Sequence, residues 1–134
     1  MPKIRIRDAA AYLGVSDDTV RRWIDTGTLA AETDEHRRKV IDGYVLARFA
    51  REQATPMPDW STGESSARNR FVGLVTNVVV DKVMAQVELQ CGPFRVVSLM
   101  SSEAVADLGL EPGSVAVAVI KSTNVIVETP KEHP

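Results

Sequence analysis

Three short runs of this chain concentrate hydrogen-bond donors: Ser65-Ser66-Ala67-Arg68-Asn69-Arg70, Ser101-Ser102, and Lys121-Ser122-Thr123. Hydroxyls, a carboxamide, a guanidinium and an ammonium are the groups that replace the hydration shell of a small tetrahedral dianion, which needs many fixed donors at once. The first and third runs contain no carboxylate, and Ser101-Ser102 opens a helix-like stretch whose free N–H groups also favour an anion. Glu103 reads as a helix-start charge, since it would repel a dianion. A different chemistry is carried by Ser16-Asp17-Asp18-Thr19-Val20-Arg21-Arg22 and by Glu35-His36-Arg37-Arg38-Lys39. Arginine pairs with guanine edges and hydroxyls grip phosphate, which is how proteins read duplex DNA. Taken singly, each residue has an ordinary role: Lys121 suits the guarding of a strand edge, and Arg37-Arg38-Lys39 a solvated face. It is their grouping that points to binding.

Catalysis has little raw material. The single cysteine, Cys91, forms no internal disulfide and looks like a hairpin residue beside Gly92-Pro93. The two histidines are His36 and His133, and no partner stands at ligand spacing from His36, so neither a metal site nor an enzyme is expected. The 134 residues carry a net charge of −2, which makes any nucleic-acid surface a local one. No apolar run approaches the roughly 18 residues of a membrane span. Met1-Pro2-Lys3-Ile4-Arg5 lacks the apolar segment of a secretion signal, and one unpaired cysteine suits a reducing compartment. A cytoplasmic protein without a membrane partner is the expectation.

The elements that must position these residues divide near residue 54. Residues 1–54 carry ten Lys/Arg and nine Asp/Glu with helical periodicity; residues 55–134 carry six and nine and are rich in valine. The division predicts a first domain over 1–54, a linker over 55–64 holding Pro56, Pro58 and Gly63, and a second domain over 65–130. Trp60 is unusual in a linker and is expected to dock. In the first domain a helix is predicted over Arg7–Leu13, broken at Gly14-Val15. A second, capped by Ser16, runs to Thr26 and stops at Gly27. A small hairpin follows over Leu29–Lys39, then a helix over Gly43–Gln53 capped by Asp42. Ala9 and Ala10 at the helix crossing, with Leu13, Val15, Val20 and Trp23, give a helix-turn-helix. Ser16, Asp17, Thr19, Arg21 and Arg22 then face outward, and the hairpin places His36, Arg37, Arg38 and Lys39 as a wing along the phosphates. So few contacts per copy call for dimeric binding to paired half-sites. The second domain reads as strands over Phe71–Val80, Val83–Gln90, Phe94–Met100, Ser114–Lys121 and Asn124–Glu128, with a helix over Ser102–Leu108. The predicted class is α+β in two domains: a winged helix-turn-helix and a five-stranded OB-like barrel with one short helix.

Both halves resemble known families. Residues 16–29 with His36-Arg37-Arg38 resemble the MerR/excisionase-type winged helix-turn-helix, although Glu35 stands where that family commonly has glycine. Ser66-Ala67-Arg68-Asn69, Val105-Ala106-Asp107-Leu108-Gly109-Leu110, Pro112-Gly113 and Ala118-Val119-Ile120-Lys121-Ser122-Thr123-Asn124-Val125 resemble the Mop (TOBE-like) domain of molbindins and molybdate-responsive regulators. That resemblance implies a barrel assembling through its strands, with molybdate or tungstate bound between subunits. Carried onto this chain, the oxyanion ligands are Ser66, Arg68, Asn69, Ser101, Ser102, Lys121 and Ser122. Ser101 replaces a usual threonine, and Ala104 a frequent serine, which removes one hydroxyl. The expected function is a regulator of transcription that binds double-stranded DNA and senses molybdate or tungstate as a homo-oligomer, dimer or hexamer. Two alternatives stand beside it: a ligand-independent DNA-binding protein whose barrel only oligomerises, and a molybdate storage protein.

Overall fold

A computed structural model describes residues 2–61 and 64–131. Thr62 and Gly63 of the expected linker, and His133 of the tail, lie outside the described residues. Two compact units result, Met1–Pro56 and Met57–Pro134.

In the first unit, strand β1 (Lys3–Arg5) leads into α1 (Ile6–Leu13), which buries Ile6, Ala9 and Ala10. Gly14 ends α1 in the left-handed region (φ 70°), and its N–H bonds back to the last turn. The turn passes to α2 (Asp17–Asp25), where the Ser16 hydroxyl accepts from the Thr19 N–H at 3.1 Å. β2 (Glu32–Thr33) and β3 (Lys39–Asp42) form the hairpin, and Asp42 caps α3 (Gly43–Gln53) by accepting from the Tyr44 N–H at 2.9 Å. The sheet order is β1-β3-β2. β1 was not expected: its three residues are set by Ile4 facing Ile41 across the ladder. Val20, Leu29, Ile41, Leu46 and Phe49 complete the core, with Trp23 edge-on to Phe49 at 4.9 Å between ring centroids. Trp23 is thus a packing residue, as its position on the inner face of α2 predicts.

The second unit is an antiparallel sheet of β4 (Asn69–Val80), β5 (Met84–Cys91), β6 (Phe94–Ser101) and β7 (Val115–Ile120), in the order β6-β5-β4-β7. Helix α4 (Ser102–Leu108) follows β6 directly. β4 serves two neighbours. Its first half pairs with β7 from Asn69 to Leu74, its second with β5 from Leu74 to Val80, and the register shifts between Val75 and Asn77. A bulge there bends the strand and lets the sheet curl. Gly73 sits just before the bend, where an added Cβ would lie 2.5 Å from the Gln90 carbonyl oxygen and 2.6 Å from Cys91 Sγ. Only glycine admits that approach. The core is Val75, Ala85, Val87, Leu89, Cys91 and Val105.

Two expectations change. The fifth strand, Asn124–Glu128, is not a strand: a 3-10 turn, Ser122–Asn124, is followed by residues with no ladder partner, and Ile126 is 87% exposed. β-branched residues favour extended backbone, but a strand exists only against an edge that accepts its hydrogen bonds. Trp60 does not dock either: it is 78% exposed, while its neighbours Asp59 and Ser61 bond to Arg70.

Candidate functional site

In the first unit the predicted DNA-facing residues lie on α2, from its Ser16 cap to Arg22 in its last turn, and on the hairpin up to Lys39 in β3. The Ser16 and Thr19 hydroxyls lie 2.9 Å apart at the N-terminus of α2. Val20 is buried, and Trp23 and Ile24 pack inward, so Arg21 and Arg22 point to solvent. Arg21 lies 3.8 Å from Asp18, and Lys39 lies 3.9 Å from Asp25. Exposed pairs of this kind are worth little and yield readily to a phosphate. Among the described residues, no ion pair engages Arg22 or Arg37.

The organiser of the tip is Asp34, which sequence reasoning missed. One of its carboxylate oxygens accepts from the His36 and Arg38 N–H groups at 2.9 and 2.8 Å, and the other from Arg38 Nε at 3.1 Å. These bonds, that from the Arg38 amide first, hold the Asp34 carboxyl below the usual carboxylate range. An aspartate just ahead of a charged pentapeptide was the available signal, since Asp commonly folds a turn over its own side chain. Arg37 adopts φ 62°, in the region that favours glycine, and carries its side chain out at the apex.

The second unit divides the predicted oxyanion residues into two corners. Asn69 pairs with Ile120, so Arg68 and Lys121 flank the next step of the same ladder, with Ser66 and Ser122 just beyond. Arg68 donates to the Ser65 carbonyl at 3.2 Å, and the Asn69 side-chain amide donates to the Ile120 carbonyl at 3.1 Å. The Asn69 amide thus also fastens β4 to β7, beside Arg68, Lys121 and the serines at the same corner. Ser101 and Ser102 form the other corner, at the junction of β6 and α4. The Ser101 hydroxyl accepts from the Ala104 N–H at 3.0 Å, and Ser102 donates its N–H and hydroxyl to the carbonyls of Val83 and Lys82 at 2.8 and 3.0 Å.

Pairing fixes where the corners lie. Ser101 opposes Met84, and Ala85 opposes Val80, so the second corner stands at the far end of β4 from Asn69. A strand advances about 3.3 Å per residue, so the 12-residue β4 separates the corners by about 35 Å along its length. Among the described residues, no hydrogen bond joins the two corners within one chain.

A cavity of about 610 Å³ opens between the outer strands β6 and β7, lined mainly by Val, Leu, Met and Ala, with Ser61, Arg70 and Ser98 among its lining residues. None of the predicted oxyanion residues lines it. Cys91 is buried, and burial pushes its thiol above the usual range. Among the described residues, no three His, Cys, Asp or Glu side chains gather as a metal site. No helix there is long and apolar enough to cross a membrane.

Comparison with known proteins matches both units. The helix-turn-helix domain family covers residues 4–54 and the TOBE domain family residues 65–127. Molybdenum-pterin-binding protein 3 of Clostridium pasteurianum is 41% identical over 63 residues, which span 93% of that protein and 46% of this chain. Among solved structures, a molybdate binding protein from Sporomusa ovata is 30% identical with a TM-score of 0.49, covering 50% of this chain and 100% of that one. The cytoplasmic molybdate-binding protein ModG, in a molybdate-bound crystal form, is 43% identical with a TM-score of 0.50, over 55% of this chain and 53% of that one. These families are binding domains rather than enzymes. The chain belongs to the Mop/TOBE family of molybdate-binding domains and carries that domain behind an N-terminal helix-turn-helix domain.

Proposed function

We propose that the chain is a cytoplasmic, homo-oligomeric regulator of transcription that senses molybdate or tungstate through an oxyanion site shared between copies. The union of a DNA-reading domain and a Mop domain in one 134-residue chain carries this reading. α2 enters the major groove through Ser16, Thr19, Arg21 and Arg22. The β2–β3 hairpin acts as the wing, with His36 and Arg37 at its apex and Arg38 and Lys39 along the phosphates.

The oxyanion lies between the Arg68 corner of one copy and the Ser101 corner of another. The separation of those corners along β4 supports a shared site, because neither copy completes it alone. Among the described residues, β6 and β7 each leave one edge unpaired, and the residues exposed around them include Leu99, Val115, Val119, Ile126 and Val127. A second copy covers such a surface most simply, since it presents the same apolar residues in return. Molybdate then stabilises one arrangement of copies over another, and DNA affinity follows by the difference in ligand affinity between the two. Couplings of this kind are typically about 1–3 kcal/mol, or roughly 5–150-fold.

Calorimetry of the full chain with molybdate, tungstate and sulfate, followed by mobility-shift assays with and without the ligand that binds, tests the proposal. Heat from molybdate or tungstate together with an altered DNA affinity supports it. Ala104, with no hydroxyl at the second corner, favours the ligand-independent scaffold as the runner-up; absence of heat from all three anions selects that reading. Oxyanion binding without any DNA binding selects storage.

A further inference from the structure

Residues 54–68 run from the end of α3 to the start of β4, and part of this stretch is fastened. Asp59 Oδ2 accepts from Arg70 Nε at 2.8 Å, Arg70 also donates to the Ser61 hydroxyl, and the Ser61 N–H donates to Asp59 Oδ1 at 2.9 Å. Only 33% of the arginine side chain and 24% of the aspartate side chain are exposed. Arg70 belongs to β4, so the acidic end of this knot sits in the joining segment and its basic end in the barrel. The arginine foremost, and Ser61 after it, hold the Asp59 carboxyl down at about 2. Charge-assisted bonds that share one guanidinium are strong for a surface contact and still reversible.

We infer that Asp59, Ser61 and Arg70 form a clasp that sets the length of free tether available to the DNA-reading unit. With the clasp closed, residues 54–58 alone lie between the end of α3 and the anchor; with it open, fifteen residues of sequence separate α3 from β4. At about 3.3–3.6 Å per residue, full extension is roughly 17 Å in the first case and roughly 52 Å in the second. As flexible chains, their mean spans are about 12 and about 21 Å. Pro56 and Pro58 fall within the short tether and stiffen it further. Paired half-sites lie about 34 Å apart per helical turn, so tether length selects the spacings that two DNA-reading units can occupy together. That consequence rests on the DNA-binding reading above; the clasp itself does not.

The full chain and its Asp59→Ala variant test the clasp. Trp60 lies between two of the clasp residues and is exposed, so its fluorescence anisotropy reports closure; Trp60→Phe forms of both proteins subtract the Trp23 signal. Asp59→Ala is expected to lower the Trp60 anisotropy and to lengthen the maximum dimension in X-ray scattering by about 9 Å for each freed unit. Unchanged anisotropy and dimension overturn the clasp. For DNA, duplexes selected from a random pool by the parent chain are lengthened by one helical turn between half-sites. The parent is expected to lose at least tenfold in affinity and Asp59→Ala less than threefold. Equal losses overturn the role in spacing. A parent that selects no DNA overturns the functional reading, and the anisotropy then still decides the clasp.

Discussion

Mixing two damaged variants tests the shared oxyanion site. Arg68→Ala removes the guanidinium of one corner. Ser101→Asp places a negative charge at the other corner while still capping α4, because Asp caps a helix about as well as Ser. Each variant alone loses a charge-assisted contact or gains a repulsion. A hydrogen bond to a charged group is worth about 1.5–3 kcal/mol, so molybdate affinity falls by about ten- to 150-fold.

The corners stand at opposite ends of the 12-residue β4, so the proposed site takes one corner from each of two copies. In a population co-refolded from equal parts of the variants, half of the sites draw their arginine corner from a Ser101→Asp chain. Half of those draw their serine corner from an Arg68→Ala chain, so about a quarter of all sites are intact under the symmetry of a homo-oligomer. Calorimetry of the mixture is expected to return about a quarter of the parent stoichiometry at parent affinity. A mixture that binds no better than its components refutes the shared site. Full binding by either variant alone removes that residue from the site.

The remaining predictions concern what holds the two units in shape. Gly73→Ala drives a Cβ to 2.5 Å from the Gln90 carbonyl and is expected to destabilise the curled sheet by about 1–3 kcal/mol in denaturant unfolding. Adding Cys91→Ala relieves only the sulfur contact and does not restore stability, because the carbonyl remains. Ser16→Ala leaves the Thr19 N–H without its side-chain cap and costs about 1 kcal/mol of stability. Ser16→Asp regains that stability in thermal melts but not DNA affinity, since its charge faces phosphate. The carboxyls of Asp34 and Asp59 are held below their usual range, so their contribution is complete above the unfolded value of about 3.9 and is lost as pH falls through the folded value. Melting temperature is therefore expected to be flat with respect to these groups from pH 7 to about 5 and to fall below about 4, less steeply in Asp34→Asn.

The features legible in the sequence are those whose partners lie close along the chain. Ser16 and Asp42 cap helices that begin at the next residue, and the turns at Asp81-Lys82 and Gly92-Pro93 join strands that pair with each other. The features that escaped depend on distant partners. β1 exists because Ile4 meets Ile41, and the candidate ligand Asn69 also fastens β4 to β7 because Ile120 offers a carbonyl across the ladder. Asp59 and Ser61 are polar linker residues by composition, and only Arg70 makes them an anchor. The run Asn124–Glu128 has the β-branched content of a strand without an edge in its own chain to pair with. Residue type thus nominated the candidate oxyanion donors, whereas their placement at two ends of one long strand came from strand register, which a single sequence does not display. Under the proposed function, the same register gives the donors a purpose that composition lacks. Donors gathered in one corner would bind an anion without involving a neighbour, and a DNA-reading head would gain nothing from it. Donors divided between two ends make occupancy depend on how copies are arranged, and that dependence is what a ligand needs in order to alter DNA binding.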